Sequence, residues 1–525
     1  MTMKNFSRRR LALWAGVGLL AFSAACRSAS EQRTLSRAVL EDKIRGGWAG
    51  KMIGVSFGAP VEFEAQGKID EAPLPWSPER VANALEQDDL YVGMTMSETM
   101  DRLGLEATVV DYGEAFKVSK YGLCHANAAA RRLLNMGIPA PLSGDPKYNS
   151  HANDIDFQIE ADFIGLMCPG LPQFALLYSE RVGRVMNYGD GIYGGIWLNG
   201  MYADAFFESD PRKVVEAGLA CLPSQSSYAA ILRDVLDWTR PGEDWRRVWE
   251  RLEVKWDKDD SCPDGAGQSF NIDAKLNGAY VALALLMGEG DFDKTLEITA
   301  RAGQDSDCNP SSAAGVLGVI KGYAAIPDKW KSGIPAIADR KFEFTQSSYS
   351  DICRATLSRA LTLVKRAGGR VSGDVLRIPV QEPVPAELEQ WEMGVKAERI
   401  GPKAAAFQWK GRWTPVPNGV EAEPAAEVTF QFTGAAVAVQ GDYLPDGGRA
   451  DVYLDGELQA RGIDAYLMQI ACDNVLWHAY GLKPGAHTLR IVIRNDADPR
   501  SKGKKLIIQN AVVYQAASSP SPGLS

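Results

Sequence analysis

The spacing of apolar residues divides the chain in two. Up to about residue 367 they recur every three to four positions, the period of a helix with one buried face. Beyond about residue 388 they recur every second position, the period of a half-buried strand. The first pattern predicts helices over 90–103, 126–136, 159–167, 196–207, 227–238, 245–253, 275–287, 292–302, 310–323 and 349–367, separated by short loops containing Gly, Pro or Asn. The stretch 45–57 is rich in small residues, and glycines at 46, 47, 50, 54 and 58 predict helices packed at close range. No long alternating run interrupts this half, so residues 41–367 read as an all-α domain.

The second pattern is carried by Val428, Phe430 and Phe432, by Ala450, Val452 and Leu454, and by His487, Leu489, Ile491 and Ile493. Gly447-Gly448 and Asp455-Gly456 supply turn chemistry. Residues 388–516 therefore read as a separate antiparallel β-sandwich. A linker at 368–387 with short extended pieces, ending in Pro383-Val384-Pro385, joins it to the helical half. Residues 27–40 read as a polar tether and 517–525 as a disordered tail.

Residues 1–26 carry an export pattern. Ser7-Arg8-Arg9-Arg10-Leu11 opens an apolar run to Ala25, which suits a signal peptide better than a spanning helix. The arginines resemble a twin-arginine signal, and Ser23-Ala24-Ala25-Cys26 resembles a lipobox. The expectation is a bacterial envelope protein, periplasmic or anchored to the membrane through a lipid on Cys26. Apart from Cys26 the chain holds seven cysteines of its eight, with no CxxC pair. That argues against a disulfide scaffold or a zinc site of common spacing, and for mostly free, buried thiols. A net charge of −9 and the lack of a basic stripe argue against nucleic acid as a partner.

The chemistry concentrates in two acidic segments. Gly303-Gln304-Asp305-Ser306-Asp307-Cys308-Asn309 is a glycine-led loop at a helix mouth, with Asn309 as a cap and Pro310 in the first turn. Asp305 and Asp307 either complement the helix dipole or point together at one ion. Gln87-Asp88-Asp89 precedes the helix at 90–103, and on its own an Asp pair is as readily a solvated face. Four carboxylates drawn together call for a divalent cation.

In combination these motifs resemble the ADP-ribosylglycohydrolase family, of the dinitrogenase reductase-activating glycohydrolase type. Gly58-Ala59-Pro60-Val61-Glu62 matches its early turn, Gln87-Asp88-Asp89 its Thr-Asp-Asp, and residues 303–308 its late Asp-Thr-Asp-Thr motif. The resemblance implies an orthogonally packed helical bundle holding two Mg²⁺ or Mn²⁺ ions. It makes Asp88, Asp89, Asp305 and Asp307 ligands, with Gln87 and Cys308 at altered ligand positions. Glu62 and Asp89 become the catalytic candidates.

Where ADP-ribose-cleaving members often place an arginine, this chain has Glu160. Asn153, Asp154, Asp156, Gln158 and Glu160 resemble the lining of a neutral-sugar pocket, or else the acid-rich start of a helix. Tyr188, Asp190 and Tyr193 lie in a Gly/Tyr stretch that either stacks on a sugar or forms a tight turn. His125 and His151 are the histidines of this half, each alone more often structural than catalytic.

The β region carries Trp391, Trp409, Trp413, Tyr443, Tyr453, Tyr466, Trp477 and Tyr480. Its strand pattern resembles jelly-roll modules of secreted glycan-active enzymes, which often bind carbohydrate; the plainer reading is a structural sandwich. The expected function is an exported, metal-dependent glycosidic-bond hydrolase acting on an extracytoplasmic glycoside or glycan. Two alternatives stand beside it: removal of ADP-ribose from protein, and a non-catalytic sugar-binding protein on the same fold.

Overall fold

The computed structural model describes residues 31–257, 262–390, 396–467 and 475–516. The export signal, Cys26, Trp391 and the 517–525 tail lie outside the described residues. The two halves have the expected architecture: a helical domain, then an all-β region of antiparallel sheets.

The helical half begins earlier than its periodicity suggests. Gln32–Ser36, inside the expected tether, is a strand that pairs antiparallel with Val375–Pro379, inside the expected linker, and Arg370–Ser372 completes a three-stranded sheet. The short extended pieces expected in the linker are these strands, and part of the expected tether joins them in one sheet. Gln32–Ser36 is short and polar, whereas Val375–Pro379 buries Leu376 and Ile378, and the two become strands through their mutual pairing. Ser36 then caps the helix Arg37–Gly58, its hydroxyl accepting from Val39 N at 3.1 Å.

Helix Arg37–Gly58 packs backbone to backbone on Cys308–Lys321, and its glycines are the cause. A methyl group on Gly46, Gly50, Gly54 or Gly58 would sit 2.2, 2.0, 2.2 or 1.7 Å from the carbonyl oxygen of Gly318, Ala314, Pro310 or Ser306. Stepping by four along one helix thus steps back by four along the other, so the pair is antiparallel. The contact delivers the C-terminus of the first helix to the mouth of the second, and Glu62 to the Asp305 loop.

The predicted helix at 159–167 is instead two short ones, Asp156–Glu160 and Asp162–Leu166. Val109–Lys117, Pro172–Gly183 and Pro211–Leu219 are further helices. At Val109–Lys117 a capping box between Thr108 and Asp111 marks the start.

In the β half, Glu427–Gly434 pairs with Gly485–Ile493, setting Phe430 opposite Leu489 and Val428 opposite Ile491. The alternating residues of Arg449–Leu454 join them in one core. A second sheet, built on Ala436–Gly441 and Leu506–Gln515, closes the sandwich. This sheet also abuts the helical domain. Arg399 donates to Pro263 O at 2.8 Å and Asp264 O at 2.9 Å, Gln440 donates to Asp264 Oδ1 at 2.7 Å, and Tyr480 donates to Ser150 O at 3.2 Å. Tyr443 is buried beneath Arg132. Tyr443 and Tyr480 therefore face the helical domain, while Trp413 is exposed.

Candidate active site

Two turns are locked together to form the site. Phe63 N donates to Gln304 O at 3.0 Å, and Gln304 N returns a bond to Ala65 O at 2.8 Å. Phe63 and Gln304 both hold positive φ, at 55° and 57°, a conformation that strains a residue bearing a Cβ by about 1–2 kcal/mol. The paired bonds hold it. The Gln304 side chain adds two more, accepting from Asn271 N at 2.9 Å and donating to Ser269 O at 2.9 Å. Glu62 and Asp305, one residue to either side, are thereby fixed in mutual register.

The predicted carboxylates converge. Glu62, Asp305 and Asp307 form one group of closely spaced oxygens, and Asp89, Asp307 and Cys308 form a second, sharing Asp307. Asp88 opens the helix Asp88–Leu103 beside them, its Oδ1 accepting from Asp89 N at 3.1 Å. Asp307, and not Asn309, caps Cys308–Lys321, taking the Cys308 N–H at 2.8 Å. Asn309 is already inside the helix and donates to Asn277 Oδ1 at 2.8 Å. Gln87 donates its amide to Asn83 Oδ1 at 3.0 Å.

Crowding raises every proton affinity here. Burial and the charges of Asp307, Asp88 and Asp89 lift Glu62 to about 8, although it stands at an open edge of the site and His125 opposes the shift. Burial and Asp89 lift Asp88 to about 6. Burial raises Asp305, with Glu62 adding to it, and raises Asp307, with Asp305 adding to it. Burial keeps Cys308 a neutral thiol, and its Sγ donates to Asp89 Oδ2 at 3.1 Å. It thus acts here as a donor to a ligand candidate.

The donor set fits a hard divalent cation. Among the described residues, Asp89 Oδ1 and Asp305 Oδ1 are buried oxygens without a hydrogen-bond donor. Leaving such atoms unsatisfied is costly, and oxygen ligands of this kind suit Mg²⁺ or Mn²⁺. Glu62, Asp89, Asp305 and Asp307 bring oxygens close enough together to hold such an ion.

The sequence reading missed Lys51 and Asp162. Lys51 Nζ is buried and contacts Asp162 Oδ2 at 2.7 Å, Ile159 O at 2.6 Å and Asp89 Oδ1 at 3.6 Å. Burial opposes its charge, but Asp162 and Asp89 outweigh it and raise its proton affinity. Tyr202 fixes Asp162 Oδ1 at 2.6 Å. A lysine inside a glycine-rich apolar helix was the available signal, because a buried lysine is almost always paired.

Of the predicted substrate residues, part line this site and part do not. Glu160 is buried, held by Asn127 Nδ2, with its Oε2 unpartnered. Burial and Asp156 push it well up, and Asp88 and Asp89 act on it too. Asp156 accepts from Asn127 N at 2.9 Å and Ala126 N at 3.2 Å, capping the helix His125–Asn135. Gln158 accepts from Tyr228 OH at 2.5 Å. Asn153 meets Ala274 N through its carbonyl, and Tyr188 meets Ala152 O through its amide.

Asp190 is committed to Ser227 and to Tyr228 N, and Tyr193 OH donates to Glu387 O at 2.8 Å. These two tie helices and the connecting segment together. His125, by contrast, faces the site: it lowers the proton affinity of both Glu62 and Asp88, stacks on Phe270 and has φ 47°. A cavity of about 820 Å³ bordered by Arg212 and Trp245 lies elsewhere and shares none of these residues.

The raised carboxylates set a pH dependence for the metal-stripped protein. Glu62 and Asp88 hold protons when folded that the unfolded chain has already released. Stability therefore falls as pH rises from about 4, the unfolded carboxylate value, to about 8. The melting temperature in EDTA should be lower at pH 8 than at pH 6, and saturating Mn²⁺ should remove the difference. A pH-independent melt in EDTA would show that the acids are not crowded.

Residues 36–362 match the model of the ADP-ribosylglycohydrolase family. No curated protein matches the chain. Among solved structures, an ADP-ribosylglycohydrolase-related protein complex is similar at 16% identity and TM-score 0.40, over 62% of this chain and 98% of that one. A two-domain esterase active on acetylated mannans, crystallised with mannopentaose, is similar at 12% identity and TM-score 0.21, over 33% of this chain and 47% of that one. A CBM36-1 domain of a multidomain xylanase from the hindgut metagenome of Trinervitermes trinervoides is similar at 12% identity and TM-score 0.18, over 23% of this chain and all of that one. The family match spans more than half of the 525 residues and contains every converging carboxylate, so the chain belongs to the ADP-ribosylglycohydrolase family, whose members are hydrolases of glycosidic bonds.

Proposed function

We infer that this chain hydrolyses the glycosidic bond of a neutral extracytoplasmic glycoside or glycan fragment, with two Mg²⁺ or Mn²⁺ ions bound. The observation that carries the metal-dependent hydrolase reading is the convergence of Glu62, Asp89, Asp305 and Asp307 at the junction of two glycine-packed helices. Bound between Asp88, Asp89, Asp305 and Asp307, the ions supply charge stabilisation where the anomeric bond breaks. Glu62, at the open edge of the site and fixed beside the Asp305 loop, is placed to deliver a proton to the glycosidic oxygen. Asp89 is buried against Lys51 and the Cys308 thiol, which suits it to ligation better than to proton transfer.

The charge pattern supports a neutral sugar. The strongest charges acting on Glu62, Asp88 and Asp89 are other carboxylates, His125 and Lys51, and Lys51 is already bound to Asp162. Among the described residues, a diphosphate would find no cation at Glu160 there, whereas a hydroxyl group can donate to its Oε2. Tyr91, two residues after Asp89, is flanked by Tyr121 and Phe344 with ring centres at 4.7 and 5.3 Å. Phe344 is 58% exposed with φ 60°, an aromatic edge suited to a sugar face.

Family membership favours the second reading, removal of ADP-ribose from protein. A panel of aryl furanosides, aryl pyranosides and ADP-ribosyl-arginine, run with Mn²⁺ and with EDTA, separates them. Metal-dependent turnover of a neutral glycoside is expected. Turnover confined to ADP-ribosyl-arginine would establish the second reading, and a lack of turnover on all would favour a binding protein.

A further inference from the structure

Beside the carboxylate cluster lies a second group of donors with different chemistry. His125, His151, Cys262 and Asp264 each bring a ligand atom within 4.8 Å of the others. Cys262 Sγ is 3.7 Å from His151 Nδ1, and His125 Nδ1 is 3.6 Å from Asp264 Oδ2. Around zinc, with bonds of about 2.0–2.3 Å, tetrahedral ligands stand roughly 3.3–3.6 Å apart. Two of the edges are thus already near that spacing.

The surroundings are those of a built site. Gln440, from the β-sandwich, donates to Asp264 Oδ1 at 2.7 Å and leaves Oδ2 turned toward His125. Asp154 Oδ2 lies 2.8 Å from His151 Nδ1, 3.3 Å from Cys262 Sγ and 3.7 Å from His125 Nδ1, so this carboxylate stands among the same donor atoms and gives up its contact with His151 Nδ1 when that nitrogen takes a metal. The Gln440 amide is a partner of the kind that orients a metal ligand. The His125 Nδ1 atom is buried and faces the Asp264 and Asp154 carboxylates, and its backbone is held at φ 47°. Main-chain bonds clasp the two segments, with Ile155 N donating to Ile272 O at 3.1 Å and Ala274 N to Asn153 O at 3.0 Å.

We propose that His125, His151, Cys262 and Asp264 bind one zinc ion, separate from the hard-cation cluster, that pins the 262–264 loop to the pocket wall and to the sandwich behind it. Two imidazoles and a thiolate prefer a borderline-soft cation, whereas the carboxylate cluster prefers a hard one, so the two sites sort their metals by ligand type. Binding releases the Cys262 thiol proton to solvent and leaves the ion closed off by four protein ligands, as in a structural site.

The test strips the full-length protein with chelator, saturates it with Mn²⁺, and adds Zn²⁺ or Co²⁺ alone. One equivalent of zinc should be retained after gel filtration. One equivalent of cobalt should give a thiolate charge-transfer band, lost in Cys262→Ser and kept in Cys308→Ser. Cobalt bound without a thiolate band overturns the proposal, as does zinc retained in Cys262→Ser or no zinc retained by the unaltered chain. Should Cys262→Ser fail to fold, the band in Cys308→Ser decides: its persistence supports the site and its loss moves the metal to the carboxylate cluster.

Discussion

Replacing Asp305 by Asn is expected to lower turnover by about 10³-fold or more while leaving the fold intact. Loss of a ligand withdraws several kcal/mol of charge stabilisation from the transition state, and each 1.36 kcal/mol is tenfold in rate. Thermal melts give an independent check with opposite signs. Asp305 is buried, its proton affinity is raised by burial and by Glu62, and its Oδ1 has no donor. An amide there removes one charge from an overcrowded group, so the metal-free variant should melt higher than the metal-free parent.

With metal the order reverses. A ligand present at a hundredfold its dissociation constant stabilises by about 2.7 kcal/mol, and the variant forfeits most of that. Undiminished activity in Asp305→Asn would remove the metal-dependent mechanism. Lost activity with an unchanged response to Mn²⁺ would make Asp305 a group that acts on substrate directly.

The parts of this molecule that the sequence reveals are those governed by local rules. The period-two residues Val428, Phe430 and Phe432 are buried because adjacent strand residues face opposite ways. The four-residue glycine spacing announces a close helix contact, and Asp305-Ser306-Asp307 announces an acidic helix mouth. What stayed hidden depends on partners distant in sequence. Gln32–Ser36 is a strand only because Val375–Pro379 lies beside it.

Tyr193 lies in a Gly/Tyr stretch that suggests a sugar platform, yet its hydroxyl bonds to residue 387, whose position no local pattern gives. Lys51 shows in sequence only as a lysine in a glycine-rich apolar helix, and its role lies in Asp162 and Asp89, far along the chain. The cluster of His125, His151, Cys262 and Asp264 escaped for the same reason: its ligands come from separate segments, so it has no spacing to recognise.

The glycine contact gives the largest stability prediction. Gly54→Ala would, on helix propensity alone, stabilise by about 1 kcal/mol. The packing acts the other way. The added methyl would lie 2.2 Å from Pro310 O, 2.4 Å from Pro310 C and 2.5 Å from Ser311 N, all backbone atoms that no side-chain rotation can move. The helices must separate, and overpacking of a buried contact costs about 1–3 kcal/mol, occasionally more. With backbone on both sides the upper end applies, so the net loss should be about 2 kcal/mol or more, read as a drop of several degrees in melting temperature.

Gly122→Ala, where a methyl would meet nothing within 4 Å, is the control and should leave the melt unchanged. Gly58→Ala should act on activity as well as stability. Its methyl would fall 1.7 Å from Ser306 O, between the turn that carries Glu62 and the loop that carries Asp305. Pushing those apart separates the proton donor from the carboxylate cluster, and catalysis is sensitive to shifts of about 1 Å. The expected pattern is therefore a stability loss in both variants and, in Gly58→Ala, an additional fall in turnover measured well below its melting temperature. Equal turnover in the two variants would mean that the helix contact supports the fold without setting the geometry of the site.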